Sequence, residues 1–266
     1  MRKKIMSALH LYMHYVSVNV RCAMQYKASM LMIIMGQLLM STTTFFGIHF
    51  MFMRFHHVKG YTYGEVLLCF AIVLMQFSLA EMFGRGFDMF AGIVRRGEFD
   101  RVLVRPRSAI LQVLGAKFEI SRIGRLIQVL IIFVYVLWIT PIAWSPGRVF
   151  CLLMMLAGGV LLFGALFLLY AGICFFTLEG LEFMNIFTDG GREYGKYPLD
   201  IYGNGIMRFS MYVIPYAFIQ YYPLQYLLGR SDNALLALCP LGVCGFLAVA
   251  YGVWRIGVRR YTSSGS

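Results

Sequence analysis

VFCLLMMLAGGVLLFGALFLLYAGICFF, residues 149–176, runs for 28 positions without a charged side chain. A helix needs roughly 20 apolar residues, at about 1.5 Å each, to cross the hydrocarbon core of a bilayer. The expected helix, Arg148–Phe176, is too long for one upright crossing and too short for a comfortable pair. It reads as a single tilted or extended span. Gly158, Gly159, Gly164 and Gly172, with Ala157 and Ala165, let another helix approach closely, whether from this chain or from a second one.

Outward from this stretch, five more segments have a similar character. Ala28–Met53, Gly64–Phe83 and Leu126–Ala143 precede it; Met207–Tyr222, short and broken by Pro215, and Ala234–Trp254 follow. The expected fold is an all-α polytopic transmembrane protein with about six spans. Composition agrees: 60% of the 266 residues are hydrophobic, 14% are charged, and mean hydropathy is +0.71. Soluble domains carry about 25% charged residues.

The charge is lopsided, with 24 Lys and Arg against 12 Asp and Glu. Six spans with a cytoplasmic N-terminus put five cations in residues 1–27, nine in 85–125, three in 177–208 and three in 255–266 on the inside. Only four fall outside. Cytoplasmic loops are the basic ones, so both termini are expected in the cytoplasm. Residues 1–27 do not read as a cleaved signal, because no short apolar core with a small-residue cleavage site follows. Ile5, Leu9, Met13, Val16 and Val20 share one helical side, as in a helix lying on the inner membrane face. Residues 28–255 then form one transmembrane domain, and 256–266 a cytoplasmic tail.

The inner loop 84–117 has internal order. Phe87, Phe90, Ala91 and Val94 have the spacing of an amphipathic helix, and Gly97 is expected to end it. Glu98, Phe99, Asp100 and Arg101 follow, and Pro106 stops the next element. Orientation alone needs cations. It does not need a capped helix with two acids and an aromatic beside it, so the loop reads either as a basic surface resting on headgroups or as a docking element with Phe99 as its anchor.

Two patterns resemble the membrane permease subunits of type-2 ATP-binding-cassette exporters, in particular the bacterial subfamily with six spans and no ATPase on the same chain. One is Gly97-Glu98-Phe99-Asp100-Arg101-Val102-Leu103-Val104-Arg105-Pro106, similar to the family's Gly-x-x-Asp-x-x-Leu-x-Arg-Pro stretch. The other is Tyr197-Pro198 through Tyr202, with Ile214-Pro215 through Phe218 and Tyr222-Pro223. The family's Phe-Trp pair near the end of the fourth span is replaced here by Phe175-Phe176. The resemblance implies a permease that catalyses no covalent step, sits in the bacterial plasma membrane, and works with a second permease, identical or related. Its motors would be separate cytosolic ATPases carrying ATP and Mg. Residues 86–101 would be the coupling element, with Gly97, Glu98, Phe99, Asp100 and Arg101 in ATPase contact. A short outward-facing re-entrant segment would fall at 223–230. No Gly-x-x-x-x-Gly-Lys-Ser/Thr phosphate loop occurs in the chain itself.

For a translocation path the sequence offers Phe176, Glu179, Glu182, Tyr212 and Tyr216. Glu179 and Glu182 share a face; they either line the inner mouth or belong to a surface helix over 177–195, with Asp189, Arg192 and Glu193 solvated. The inner segment 177–206 admits both. Tyr212 and Tyr216 lie in an aromatic stretch suited to a membrane interface. Glu65 and Glu81 read as headgroup markers at the two ends of the second span. A secondary transporter driven by ions or protons is the alternative. It calls for an ionisable group deep in a span, and none is visible at mid-depth. Metal and redox chemistry have no visible constellation: the six cysteines include no Cys-x-x-Cys pair, and His10 with His14 lacks a third ligand. Membrane lipids, not nucleic acid, are the expected counterpart of the basic stretches.

Overall fold

The computed structural model describes residues 2–140, 142–177 and 182–262, with side chains from residue 8 onward. Helices α1 (Arg2–Gln25) and α2 (Lys27–Arg54) lead into α3 (Tyr63–Asp88), which continues through short helices α4 (Phe90–Arg95), α5 (Phe99–Val104) and α6 (Ala109–Ala116). Then come α7 (Arg122–Ile139), α8 (Pro146–Thr177) and α9 (Met184–Tyr194). Short pieces α10 (Asn204–Tyr212), α11 (Tyr216–Ile219) and α12 (Tyr221–Leu227) precede a 3₁₀ stretch, Ala234–Gly242, that runs into α13 (Val243–Arg260). The described residues contain no strand, only one antiparallel bridge between Val58 and Tyr61. Among the described residues, five helical stretches are long and apolar enough to cross a membrane: 27–54, 63–95, 122–139, 146–177 and 234–260.

Helix α3 is the axis of the bundle. Thr62 and Glu65 form a reciprocal capping box at its start, with the Thr62 amide donating to the Glu65 carboxylate at 2.8 Å. Helix α8 packs along α3 because Gly159 admits Gln76: a Cβ there would lie 2.1 Å from the Gln76 side chain. Gln76 in turn donates to the Met155 carbonyl at 2.9 Å. Helix α13 packs on the other side of α8, where a Cβ on Gly172 would come within 2.9 Å of the Trp254 backbone. Three glycines of the fourth span, at 158, 159 and 172, are therefore spent on packing within this chain; Gly164 has nothing within 4 Å.

Two buried clusters mark the ends of the bundle. One gathers Phe87, Phe90, Phe99, Phe175 and Trp254; the other gathers Phe52, Tyr61, Phe70, Val129 and Leu224. We refer to the Phe99 end and the Tyr61 end. Helix α1 lies at the Phe99 end, where the Tyr12 hydroxyl donates to the Phe83 carbonyl and Asn19 donates to the Gly115 carbonyl. Leu9 and Met13 stay exposed, so part of the apolar side read from the sequence is left uncovered by protein.

The segment after α8 departs from expectation in two ways. Met207–Tyr222 is not one helix; it is split among α10, α11 and α12, with the turn at Val213–Pro215. And α9 is more than a surface helix: Asn185, Ile186, Asp189 and Glu193 stay exposed along one side, but Met184, Thr188 and Gly191 are buried against the bundle. Its start sits beside Leu166, Leu169 and Ile173 of α8. Arg192 then lies over the Phe77 ring at 4.9 Å, and Gly195 meets Val73. By Asp200 the chain has reached the Tyr61 end: Tyr61 donates to the Asp200 carboxylate at 3.1 Å, and Lys59 to its carbonyl at 2.9 Å. Residues 182–202 thus traverse the bundle. Residues 204–230 form a hairpin that dips back to Ile214, beside Leu166, and returns past Gly158 (Ile219) and Cys151 (Pro223) to Arg230, beside Glu65. Residues 223–230 are the returning limb of that hairpin.

Candidate functional site

The turn between α4 and α5 is built as its sequence requires. Gly97 takes φ +67°, the left-handed conformation that favours glycine. The Glu98 amide donates to the Ile93 carbonyl and the Gly97 amide to Val94, both at 3.0 Å, which closes α4 in a Schellman motif. Arg95, Arg96 and Arg101 are exposed, and Arg96 pairs with Glu98 at 2.8 Å. That guanidinium holds the Glu98 carboxyl below its usual range. Asp100 lies beside the Tyr261 hydroxyl, which burial and that carboxylate push up.

Phe99 is the exception. It was expected to reach a partner; instead it is fully buried in a cage of this chain's own rings. Phe90, Phe175 and Tyr261 stand edge-on to it at 5.3, 5.1 and 5.1 Å, and Trp254 at 6.2 Å. Apolar area outweighs the neighbouring charges: a Phe beside two acids still goes inward when a pocket of aromatics is available. The turn is therefore bolted to the ends of α8 and α13.

The residues suggested for a path do not converge. Phe176 is half exposed at the end of α8, and Glu182 is exposed near it. Glu179 lies outside the described residues. Tyr212 is 84% exposed at the end of α10, whereas Tyr216 is buried. Tyr216 donates to the Phe187 carbonyl and packs edge-on to Tyr194 at 5.2 Å. Gly191 makes room for it: a Cβ there would lie 2.2 Å from the Tyr216 oxygen.

What does converge is a set of charges that the sequence had placed at surfaces. Glu81 is buried and accepts from Arg122 at 2.9 Å and from Arg125 at 2.8 Å. Arg125 also donates to Gln37 of α2. Facing it, Arg192 pairs with Asp189 at 3.3 Å and with Glu193 at 3.0 Å, and Lys196 pairs with Glu193. Between the two groups is a cavity of about 300 Å³ lined by Gln37, Ser41, Arg125, Arg192, Glu193 and Lys196, with Met40, Phe70 and Leu74 as apolar wall. Gln37 is ten residues into α2 and Leu74 eleven into α3, each about 15 Å from opposite ends of the bundle at 1.5 Å per residue. The cavity is central. Sequence reasoning missed it because the Glu81–Arg125 ion pair and the Arg125–Gln37 hydrogen bond join different helices. One signal was available: Asp189–Arg192 and Glu193–Lys196 are opposite charges at i, i+3, a pattern that lets a charged helix neutralise itself when buried.

No curated protein and no solved structure matches the chain. The pattern of the family described as ABC-2 family transporter protein matches residues 38–265, which covers α3 to α13, most of α2, the capped turn and every cavity-lining residue but Gln37. The chain belongs to the ABC-2 transporter family, as a membrane component of transport.

Proposed function

We propose that this chain is the membrane permease of an ATP-driven exporter, with six crossings, both termini in the cytoplasm of a bacterium, and separate cytosolic ATPases as its motor. Residues 182–202 are the fifth crossing, and 204–230 re-enter from outside. The Phe99 end faces the cytosol. It gathers the cations of residues 8–27, 85–117 and 255–260, while the Tyr61 end has Arg54, Lys59, Arg148 and Arg230, as the positive-inside rule asks. A second permease, identical or related, completes the path. ATP and Mg bind the partner ATPase, and the permease itself catalyses nothing.

One observation carries this reading: the capped turn exposes Arg95, Arg96 and Arg101 outward while Phe99 locks it inward to α8 and α13. A push on the exposed side has a stiff route into two spans. The coupling set Gly97, Glu98, Phe99, Asp100 and Arg101 divides accordingly. Glu98 and Arg101, with Arg96, meet the ATPase; Gly97 shapes the turn, and Phe99 and Asp100 fasten it.

The test is co-purification in mild detergent. The unmodified chain is expected to retain a P-loop ATPase. Reversing Arg96→Glu, Glu98→Arg and Arg101→Glu together should release it without loss of membrane insertion. Full ATPase recovery with the triple variant removes the coupling assignment. The ion-coupled alternative gains one point, since Glu81, Arg125 and Glu193 supply the interior ionisable groups it needs. Transport in proteoliposomes driven by an ion gradient, with no ATPase, would establish it.

A further inference from the structure

We infer that the central cavity between α2, α3, α7 and α9 holds the compact anionic head (phosphate, sulfate or carboxylate) of an amphiphile. This rests on the permease reading above and gives it a substrate class.

Charge is the first argument. Arg125, Arg192 and Lys196 line the cavity, with Glu193 as the one carboxylate among the described lining residues. Extending the count to Glu81, Arg122 and Asp189 still leaves four cations to three carboxylates. Ionised groups inside a membrane protein are paired or face a hydrated cavity. Two of these carboxylates are already shared: Glu81 among Arg85, Arg122 and Arg125, and Glu193 between Arg192 and Lys196; the third, Asp189, is held by Arg192. An anion in the cavity would supply the missing acceptor to guanidinium and ammonium groups that are already in place, and Arg forks suit phosphate and carboxylate oxygens.

The opening is the second argument. Arg125 and Lys196 are buried, but Met40 and Thr43 on the α2 rim and Glu193 on the α9 rim are exposed. The cavity therefore opens between α2 and α9 at mid-height of the bundle. A head drawn in there leaves its tail along Met40 and the exposed Leu39, an apolar track that a soluble anion would not use.

The test is direct binding of dodecyl phosphate to the purified full-length permease in a neutral maltoside, without ATPase. Saturable binding is expected, undisplaced by equimolar inorganic phosphate and absent for dodecyltrimethylammonium. Arg192→Gln and Lys196→Gln should each weaken it about tenfold, the low end of a charge-assisted hydrogen bond at about 1.4 kcal/mol per decade. Arg192→Lys should stay within about threefold, and the remote Arg208→Gln should change nothing. Glu193→Gln should tighten binding by removing the competing carboxylate, an outcome that a purely structural role for these residues does not give. Unaltered affinity in both cation variants, preference for the cationic amphiphile, or displacement by inorganic phosphate would overturn the inference. Because no motor is present, binding is scored apart from transport. Binding without ATP-driven export of the same probe in a reconstituted complex would leave the site standing and count against the exporter reading alone.

Discussion

The aromatic cage at the Phe99 end is largely buried, and so is the ionic cluster at the centre except for the half-exposed Asp189 and Glu193; the two are finished to different degrees. In the cage the rings share partners: Trp254 alone meets Phe87, Phe90, Phe99 and Phe175 within 5.0–6.2 Å. Edge-to-face pairs of this kind add to area burial and fix one arrangement. The cluster has more donors than acceptors and encloses space. The cage is suited to carrying force without yielding, and the cluster to changing its contents. On the proposed function, the difference separates the part of the chain that transmits from the part that receives.

Four substitutions break or sharpen that contrast. Trp254→Ala should be the most damaging, at about 3–5 kcal/mol, because it opens a void under four rings; thermal unfolding in detergent measures it, and a loss below about 1 kcal/mol would show that the cage is not a single packed unit. Glu81→Gln comes next, at about 3 kcal/mol, since it strands Arg122 and Arg125 without their carboxylate. Adding Arg125→Gln should recover part of that loss, and no recovery would mean that the two residues do not act as a pair.

Lys196→Met should cost under about 1 kcal/mol, because its partner Glu193 is half exposed and screened. It should nonetheless abolish most anion binding, which separates stability from function at one residue. The smallest effect is expected at the turn surface. Arg96 depresses the Glu98 carboxyl, so that pair's contribution is present above the unfolded Glu value of about 4.3 and is lost as pH falls through the lower folded value. Glu98→Gln should lower stability slightly at pH 7, since the pair is exposed, and the difference from the unmodified chain should vanish as pH falls through the folded Glu98 value. A difference that persists in acid would mean that Glu98 has a role besides its charge pair with Arg96.

Much of the fold is legible in the sequence because hydrophobicity is a local property. Arg148–Phe176 appears as a helix over Pro146–Thr177, and the spacing of Phe87, Phe90 and Val94 corresponds to a buried face. Gly97 ends α4 because only its own backbone freedom is at issue. The fifth traverse was not legible. Residues 184–196 include Asp189, Arg192, Glu193 and Lys196, and a charged helix reads as solvated unless its partners are known. Those partners are Phe77, Val73 and each other, two of them more than a hundred positions away. Phe99 failed for the opposite reason. Its flanking charges suggested a surface, but the pocket that takes it is assembled from Phe175, Trp254 and Tyr261, which local sequence does not reveal.

At the far end from the turn, Arg230 grips the start of α3 in three ways. It donates to the Gly60 carbonyl at 2.9 Å, holds the Glu65 carboxylate at 2.9 Å, and lies over the Tyr61 ring at 3.9 Å. Glu65 is also the capping residue of α3, so this rivet ties helix and hairpin at the same point. A displacement imposed at residues 95–101 therefore has its fulcrum near Arg230. The seam with least to resist the resulting tilt is the one along α2, which contributes only Ser41, Ile48 and Phe52 to the described interior.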